Sequence, residues 1–314
     1  MTKSPKNKVI LSIIILNYNP HELLKNCLLS IYGSDLKNYL LEILITDNGS
    51  TDDSLSLAKT IAQKNTRFFL NHKNLGFSAG NNSAIKYLNP DSKYVLFLNG
   101  DTTVEKDTLC KIIDFMETHP EVDATTCYVN LMLTNQLQPE CHRGFPTPWN
   151  AFCHFFLPFL PKLFPHTKLF NGYFLGHLDY TKIQKIDCCV GAFLLVKKTV
   201  GDKIGWWNEK YFFYGEDIDF CYQLKKHGFN LYFYPDCRVN HFQGYSSGLA
   251  GGVSHQKSQS SRETKIRSAR ASTNAMRIFY RLNLINNYPP FFQWVVWRGI
   301  DILETYRVFK AKYL

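Results

Sequence analysis

The 314-residue chain reads as an α/β protein: a mixed, mainly parallel central sheet flanked by helices, followed by a C-terminal helical extension. Three observations predict it. Apolar, β-rich runs alternate with helix-period segments over the first hundred residues, the signature of βαβ units. Polar and acidic turn residues gather where those runs end. The segment after residue 256 is basic, with apolar residues at helical spacing.

Residues 9–16 lack any helical period and form an apolar run expected to be a buried parallel strand. Asn17-Tyr-Asn-Pro20 breaks it. Leu23, Leu24, Cys27, Leu28 and Ile31 then fall on one face of a helix over 21–32, and 41–46 gives the next strand. Asp52 and Asp53 can cap a helix carrying Leu55, Leu57, Ala58 and Ile61. A strand at 67–70, a helix near 80–87 and a strand at 94–98 complete a half suited to nucleotide binding, with ligands at the carboxyl ends of the strands.

Beyond Asp101 the pattern loosens into a helix at 106–118 and a strand at 125–131. The proline- and aromatic-rich 145–174 segment should form loops and short helices. A strand at 188–197, a turn and helix at 215–227 and a strand at 231–234 follow. The expected organisation is one domain over 1–256, with a nucleotide half to about 104 and a second half from about 105, then an extension over 257–314.

Composition narrows the class. With 45% apolar and 15% aromatic residues, the chain can bury a large core, which excludes a disordered protein. Nine irregularly spaced cysteines and a polar, basic start point to reduced thiols in a cytoplasmic protein. Cys141-His142 and Cys153-His154 fit no common zinc spacing. The apolar runs fall short of the ~20 residues a spanning helix needs. The net charge of +10 is concentrated in the tail, where eleven Lys and Arg face three Asp and Glu.

Several polar groups stand where chemistry could use them. Asp47, before Asn48-Gly49, can accept hydrogen bonds from a base or ribose, with Asn17 and Tyr18 lining the same pocket. Gly76 and Gly80 permit close backbone approach to a ligand. Asp101 suits a divalent cation that offsets diphosphate charge, with oxygen ligands favouring Mg²⁺ or Mn²⁺. Glu216-Asp217 follows the aromatic, glycine-broken Tyr211-Phe-Phe-Tyr-Gly215, which can hold a general base at a cleft. Asp217 is the expected base and Glu216 the group that orients an acceptor; Asp219, two positions on, reads as structural. Trp206 or Trp207, with Trp207 preferred, could stack on a sugar acceptor.

Five ordered motifs occur: Ile13-Ile-Ile-Leu-Asn-Tyr-Asn19, Thr46-Asp-Asn-Gly-Ser-Thr-Asp52, Asn74-Leu-Gly-Phe-Ser-Ala-Gly-Asn-Asn82, Leu98-Asn-Gly-Asp-Thr102, and Gly191-Ala-Phe193 through Glu216-Asp217. Together they resemble the inverting family 2 glycosyltransferases, and within them the rhamnosyltransferase-like branch that builds bacterial surface polysaccharide. The resemblance covers about the first four-fifths of the chain. It implies a GT-A-like fold, with about 105–256 as the acceptor half, and transfer of a hexose from a nucleotide diphosphate sugar, first L-rhamnose from dTDP-L-rhamnose and second a UDP-sugar, to a saccharide or lipid-linked saccharide.

The resemblance also assigns residues. Asp47 would contact the nucleotide base, with Asn48, Gly76, Phe77 and Asn81 nearby. Asn99, Gly100 and Asp101 match the Asp-x-Asp metal motif with one carboxylate replaced by an amide, which lowers expected metal affinity. His241 would complete the metal site and favour Mn²⁺. Gly191 and Ala192 would leave room for the donor sugar.

A nucleotidyltransferase would want a glycine-rich, basic loop after the first strand, which Asn17-Tyr-Asn-Pro-His21 is not. A non-catalytic sugar-binding scaffold is made conceivable by Asn99 and opposed by Asp101, Glu216, Asp217 and His241. The Gly/Ser-rich 244–254 segment reads either as a linker or as a lid over the donor. In the tail, 257–281 reads as a basic amphipathic helix. Phe291, Phe292, Val295, Val296, Ile302, Leu303, Tyr306 and Phe309 are expected on one face of a second helix, opposite Trp294 and Trp297. Such a tail suits an anionic membrane surface at the inner face of the plasma membrane, self-association, or packing on the domain. No nucleic-acid recognition motif accompanies it.

Overall fold

The computed structural model describes residues 10–242 and 261–313; the 244–254 segment lies outside them. In chain order the elements are β1 (Ile10–Asn17), α1 (Leu23–Tyr32), β2 (Leu40–Asp47), α2 (Ser54–Thr60), β3 (Thr66–Leu70), α3 (Gly76–Ile85), β4 (Ser92–Asn99) and β5 (Thr102–Val104). Then come α4 (Thr108–Thr118), β6 (Ala124–Leu131), β7 (Gln136–Leu137), α5 (Pro148–Phe156), α6 (Phe159–Leu163), β8 (Gln184–Lys185) and β9 (Phe193–Lys197). The chain continues through α7 (Lys198–Ile204), α8 (Glu216–Lys226), β10 (Leu231–His241), α9 (Arg262–Phe279) and α10 (Pro290–Tyr313).

The sheet runs β3-β2-β1-β4-β9-β6-β10-β5, with β7 on β6 and β8 on β10. β1 pairs in parallel with β2 and β4, and β6 with β10, whereas β9 runs antiparallel between β4 and β6. Two antiparallel steps restore the original direction. The carboxyl ends of β1, β2, β4, β6 and β10 therefore share one edge of the sheet, together with the start of β9. Register places Asn17 opposite Asp47, Leu16 opposite Asn99, and His241 opposite both Leu131 and Thr102.

Leu11, Ile13, Ile14 and Ile15 of β1 are all fully buried, as required of a strand covered by helices on both faces. Each such side chain contributes about 1.5–3 kcal/mol of burial. The core continues through Leu96 and Phe97 of β4 and Phe193 to Val196 of β9, so the edge carrying the polar residues rests on a well-packed base. All nine cysteines are free thiols and buried.

The C-terminal helices pack on the body of the protein. Gly215 adopts φ +82°, and a Cβ there would lie 3.0 Å from that of Ala275 on α9. Tyr214 and Ser268 hydroxyls are 2.8 Å apart, and Phe279 meets Tyr222 of α8 edge to face. Arg277 ties α9 to Asp301 and Glu304 of α10. The expected faces of α10 are redistributed. Trp297 packs against Tyr280, and Ile300 and Leu303 are buried, while Phe291, Trp294, Ile302, Tyr306 and Phe309 are exposed, Phe291 to 76%. Leu303 is buried, so it cannot share the outward stripe.

Candidate active site

β1 and β2 deliver Asn17 and Asp47 side by side, and Asn17 Nδ2 donates to Asp47 Oδ1 at 2.7 Å and to Ser50 Oγ at 3.0 Å. The backbone N–H of Ser50 donates to the other Asp47 oxygen at 3.2 Å, while Asn17 Oδ1 stays buried without a partner. A rigid acidic corner results at the strand ends, with Tyr18 half-buried beside it.

Asn48 serves the loop. Its Nδ2 donates to Asn74 Oδ1 and the Gly76 carbonyl, and its Oδ1 accepts from the Leu75 N–H. With both ends of the amide engaged, Asn48 braces the 74–76 loop instead of offering a donor to a ligand. Gly76 is also corrected: it adopts φ +83°, and an added Cβ would lie 2.4 Å from the Phe212 carbonyl oxygen. The close approach is to protein backbone, and the Phe77 N–H donates to that same oxygen at 2.9 Å. Asn81 lies within α3, buried, its amide donating to the Phe77 carbonyl one turn back, so the expected position at the helix start does not hold. Phe77 packs edge to face on Trp207 and closes over Gly191.

At the end of β4, the Asn99 N–H donates to the Ala192 carbonyl at 3.1 Å, which sets Gly191-Ala192 beside Asn99-Gly100-Asp101. Ala192 is buried. The Phe242 N–H donates to the Asp101 carbonyl and brings His241 across from it. His241 Nε2 lies 3.2 Å from Asp101 Oδ1 and 3.5 Å from Asn99 Nδ2. Both residues are buried, yet Asp101 Oδ1 has no hydrogen-bond partner. An orphaned carboxylate oxygen beside an imidazole nitrogen and an amide is an arrangement that a divalent cation fits. Among the described residues, the one group of three cation-capable side chains is elsewhere, at His21, Asp52 and Asp53 on the surface.

α8 opens with Glu216 and Asp217, each 8% exposed, at the positive end of the helix. Arg143 Nη2 donates to Asp217 Oδ2 at 2.7 Å, and the Ile218 N–H donates to Oδ1. Glu216 Oε2 is buried with no partner. Burial, reinforced by the neighbouring Asp217 charge, pushes the Glu216 carboxyl up to about 8. The two carboxyls therefore differ in environment: Asp217 is ion-paired to Arg143, whereas burial beside Asp217 favours the protonated form of Glu216. Asp219 accepts from Asn208, Tyr211 and Asn283 and is the structural residue expected, fastening α8 to the C-terminal segment.

The expected sugar-stacking tryptophans are core residues. Trp207 is 2% exposed, and Phe77, Phe97 and Phe220 surround its ring. No face is left open to an acceptor. Trp206 packs on Phe97 and against Gly201. Sequence reasoning missed the partnership of Arg143 with Asp217, because Arg143 lies in a segment without periodicity and meets its partner across 74 residues.

The sequence model described as Glycosyl transferase family 2 matches residues 12–197. Over 235 residues the chain is 26% identical to Rhamnosyltransferase WbbL of Escherichia coli K12, covering 73% of this chain and 82% of that protein. It is 24% identical over 249 residues to the N-acetylglucosaminyl-diphospho-decaprenol L-rhamnosyltransferase of Mycobacterium tuberculosis, covering 76% and 78%. Among solved structures, the mannosyltransferase PcManGT from Pyrobaculum calidifontis, in complex with GDP-Man and Mn²⁺, aligns with a TM-score of 0.54 at 16% identity, covering 98% of this chain and 76% of that one.

Proposed function

The chain belongs to glycosyl transferase family 2, and from that premise we propose that it is an inverting, metal-dependent hexosyltransferase acting on a saccharide or lipid-linked saccharide acceptor in cell-surface polysaccharide synthesis. The fold is GT-A-like. The observation that carries the reading is the convergence on one sheet edge of the Asn17–Asp47 corner, the Asp101–His241 pair and the Gly191-Ala192 turn, with Gly76 and Phe77 docked on the Phe212 carbonyl of the loop that leads into Glu216-Asp217.

In this reading Asp47, with Asn17 and Tyr18, receives the nucleotide, and Gly191 and Ala192 border the donor sugar. Asp101 and His241, with Asn99 adjacent, would hold Mn²⁺ or Mg²⁺, which when bound offsets the charge of the departing diphosphate. Asp217 takes the proton from the acceptor hydroxyl as that oxygen attacks the anomeric carbon from the face opposite the diphosphate, which gives inversion. Protonated Glu216 donates a hydrogen bond that orients the acceptor. Arg143 holds the Asp217 carboxylate in place.

dTDP-L-rhamnose is the proposed donor, supported by the names of the two rhamnosyltransferase relatives; a UDP-sugar is the second choice. A lipid-linked acceptor draws on the name of the mycobacterial relative. Among the described residues no helix is long and apolar enough to cross a membrane. The exposed aromatic face of α10 within a basic tail supports contact with an anionic membrane surface, which co-sedimentation with anionic liposomes at low salt tests.

Calorimetric titration of dTDP, UDP and GDP, with and without Mn²⁺, tests the donor site. Metal-dependent binding of one nucleotide, weakened in Asp101→Ala, is expected. Binding of none under either condition would overturn the assignment.

A further inference from the structure

The histidine at the end of β10 is held from behind by a side chain that no motif predicted. Gln138 follows β7 in the aperiodic stretch before Arg143, is buried, and has its backbone fixed by its own N–H donating to the Val129 carbonyl of β6 at 2.8 Å. Its Oε1 lies 2.8 Å from His241 Nδ1. An amide oxygen only accepts, so Nδ1 carries the proton and donates it. In the neutral ring the other nitrogen, Nε2, then carries a lone pair, facing Asn99 Nδ2 at 3.5 Å and Asp101 Oδ1, which is 3.2 Å away and without a partner.

With the ring neutral, these two electron-rich atoms, both buried, repel each other, and a cation held between them removes the repulsion. We propose that Gln138 is a positioning residue for the cation site: its Oε1 fixes the Nδ1–H tautomer and the ring orientation of His241, so that Nε2 presents a lone pair to a divalent cation shared with Asp101. The proposal rests on the metal reading above and adds the group that makes His241 a ligand. A partner of this kind sets which ring nitrogen binds metal and raises ligand basicity, and its loss typically costs about 10–100-fold in metal affinity.

The chain already builds this strut into the sheet. β10 pairs with β6 through Asn240–Asn130 and His241–Leu131, and β7 folds back on β6 at Asn130 and Leu131. Gln138 and His241 thus approach from strands on either side of β6, whose last residues set their spacing. An exposed glutamine on a free loop would supply no such constraint. The short β7 hairpin has a reason to exist in the geometry of residue 241.

The test has two arms. Long-range ¹H–¹⁵N correlation spectra of the full-length apo protein, with the His241 ring assigned by loss of its signals in His241→Ala, read the tautomer directly. The expected result is the Nδ1–H form; an Nε2–H form would overturn the proposal without reference to any variant at residue 138. Titration of Mn²⁺, alone and with saturating dTDP or UDP, followed by electron paramagnetic resonance, compares wild type, Gln138→Met and Gln138→Glu. The Met variant, which fills the same volume without an acceptor, should bind about 10–100-fold more weakly. The Glu variant keeps an acceptor and should stay within a few fold of wild type. Equal Mn²⁺ affinity in wild type and Gln138→Met would overturn the role of Gln138 while leaving the metal site standing. Absence of Mn²⁺ binding to wild type, both alone and with dTDP or UDP present, would overturn the metal reading itself, and the proposal with it.

Discussion

Replacing Glu216 with glutamine should stabilise the protein increasingly as pH rises. The Glu216 carboxyl is held at about 8 against an ordinary value of 4.5, first by burial and then by the Asp217 charge. The folded chain therefore binds this proton more tightly than the unfolded chain does, and folding stability falls with pH wherever the native state holds more protons. Its contribution is complete below about pH 4.5 and is lost progressively as pH climbs through about 8. At about 1.36 kcal/mol per unit, the separation between the two values corresponds to an upper bound of about 5 kcal/mol, about 4 of which fall between pH 5 and 9. A glutamine side chain has nearly the same shape and does not titrate. Denaturant unfolding of both proteins at unit steps from pH 5 to 9, read by tryptophan fluorescence, should show the variant gaining on wild type by a few kcal/mol across the series. Parallel stability profiles, constant to within about 1 kcal/mol, would refute the assignment of Glu216 as a buried, proton-holding member of the pair.

Three further expectations follow from the same geometry. Asp217→Asn should lower turnover by about 10²–10⁴-fold while calorimetry shows donor-nucleotide affinity nearly unchanged; normal turnover would remove Asp217 as the base. Gly76→Ala places a Cβ 2.4 Å from the Phe212 carbonyl oxygen at φ +83°, and should cost about 2–4 kcal/mol in thermal or denaturant unfolding, with activity falling because the displaced loop leads into Glu216. Trp207→Phe should cost about 1–3 kcal/mol of stability through incomplete filling of its site but leave acceptor KM close to wild type; a large rise in KM without loss of stability would restore Trp207 to the acceptor site.

The sheet and the ends of its strands were legible in the sequence because buried parallel strands are continuous apolar runs and their polar terminators stand out against them. Asn17, Asp47, Asn99 and Asp101 are such terminators, and the structure places each at the shared edge. Legibility stopped where a residue's meaning depends on a neighbour far along the chain. Gly76 reads locally as a ligand-facing glycine, but Phe212 occupies the space it leaves. Asn82, which closes the Asn74–Asn82 motif without a role of its own, accepts from the Trp207 N–H and donates to the Trp207 carbonyl across 125 residues, holding that tryptophan in the core. β5, β7 and β8 are three residues or fewer, too short to show alternation, and with β7 the position of Gln138 was hidden.

The amide at Asn99 and the contact of Gln138 with His241 have one electrostatic consequence in common. Asp101 is the one anionic side chain at that pair, since an imidazole and an amide bring no negative charge. Affinity of oxygen-rich sites for divalent cations rises with the number of anionic ligands, so this protein half-site is under-charged by itself, and a donor diphosphate would supply the missing anions. On the proposed reading, metal and nucleotide sugar then bind with mutual reinforcement: each increases the affinity for the other by the same factor, as linkage requires. On that reading the chain's own task reduces to geometry, holding one carboxylate oxygen unpaired and one imidazole lone pair oriented at the point where the diphosphate would arrive.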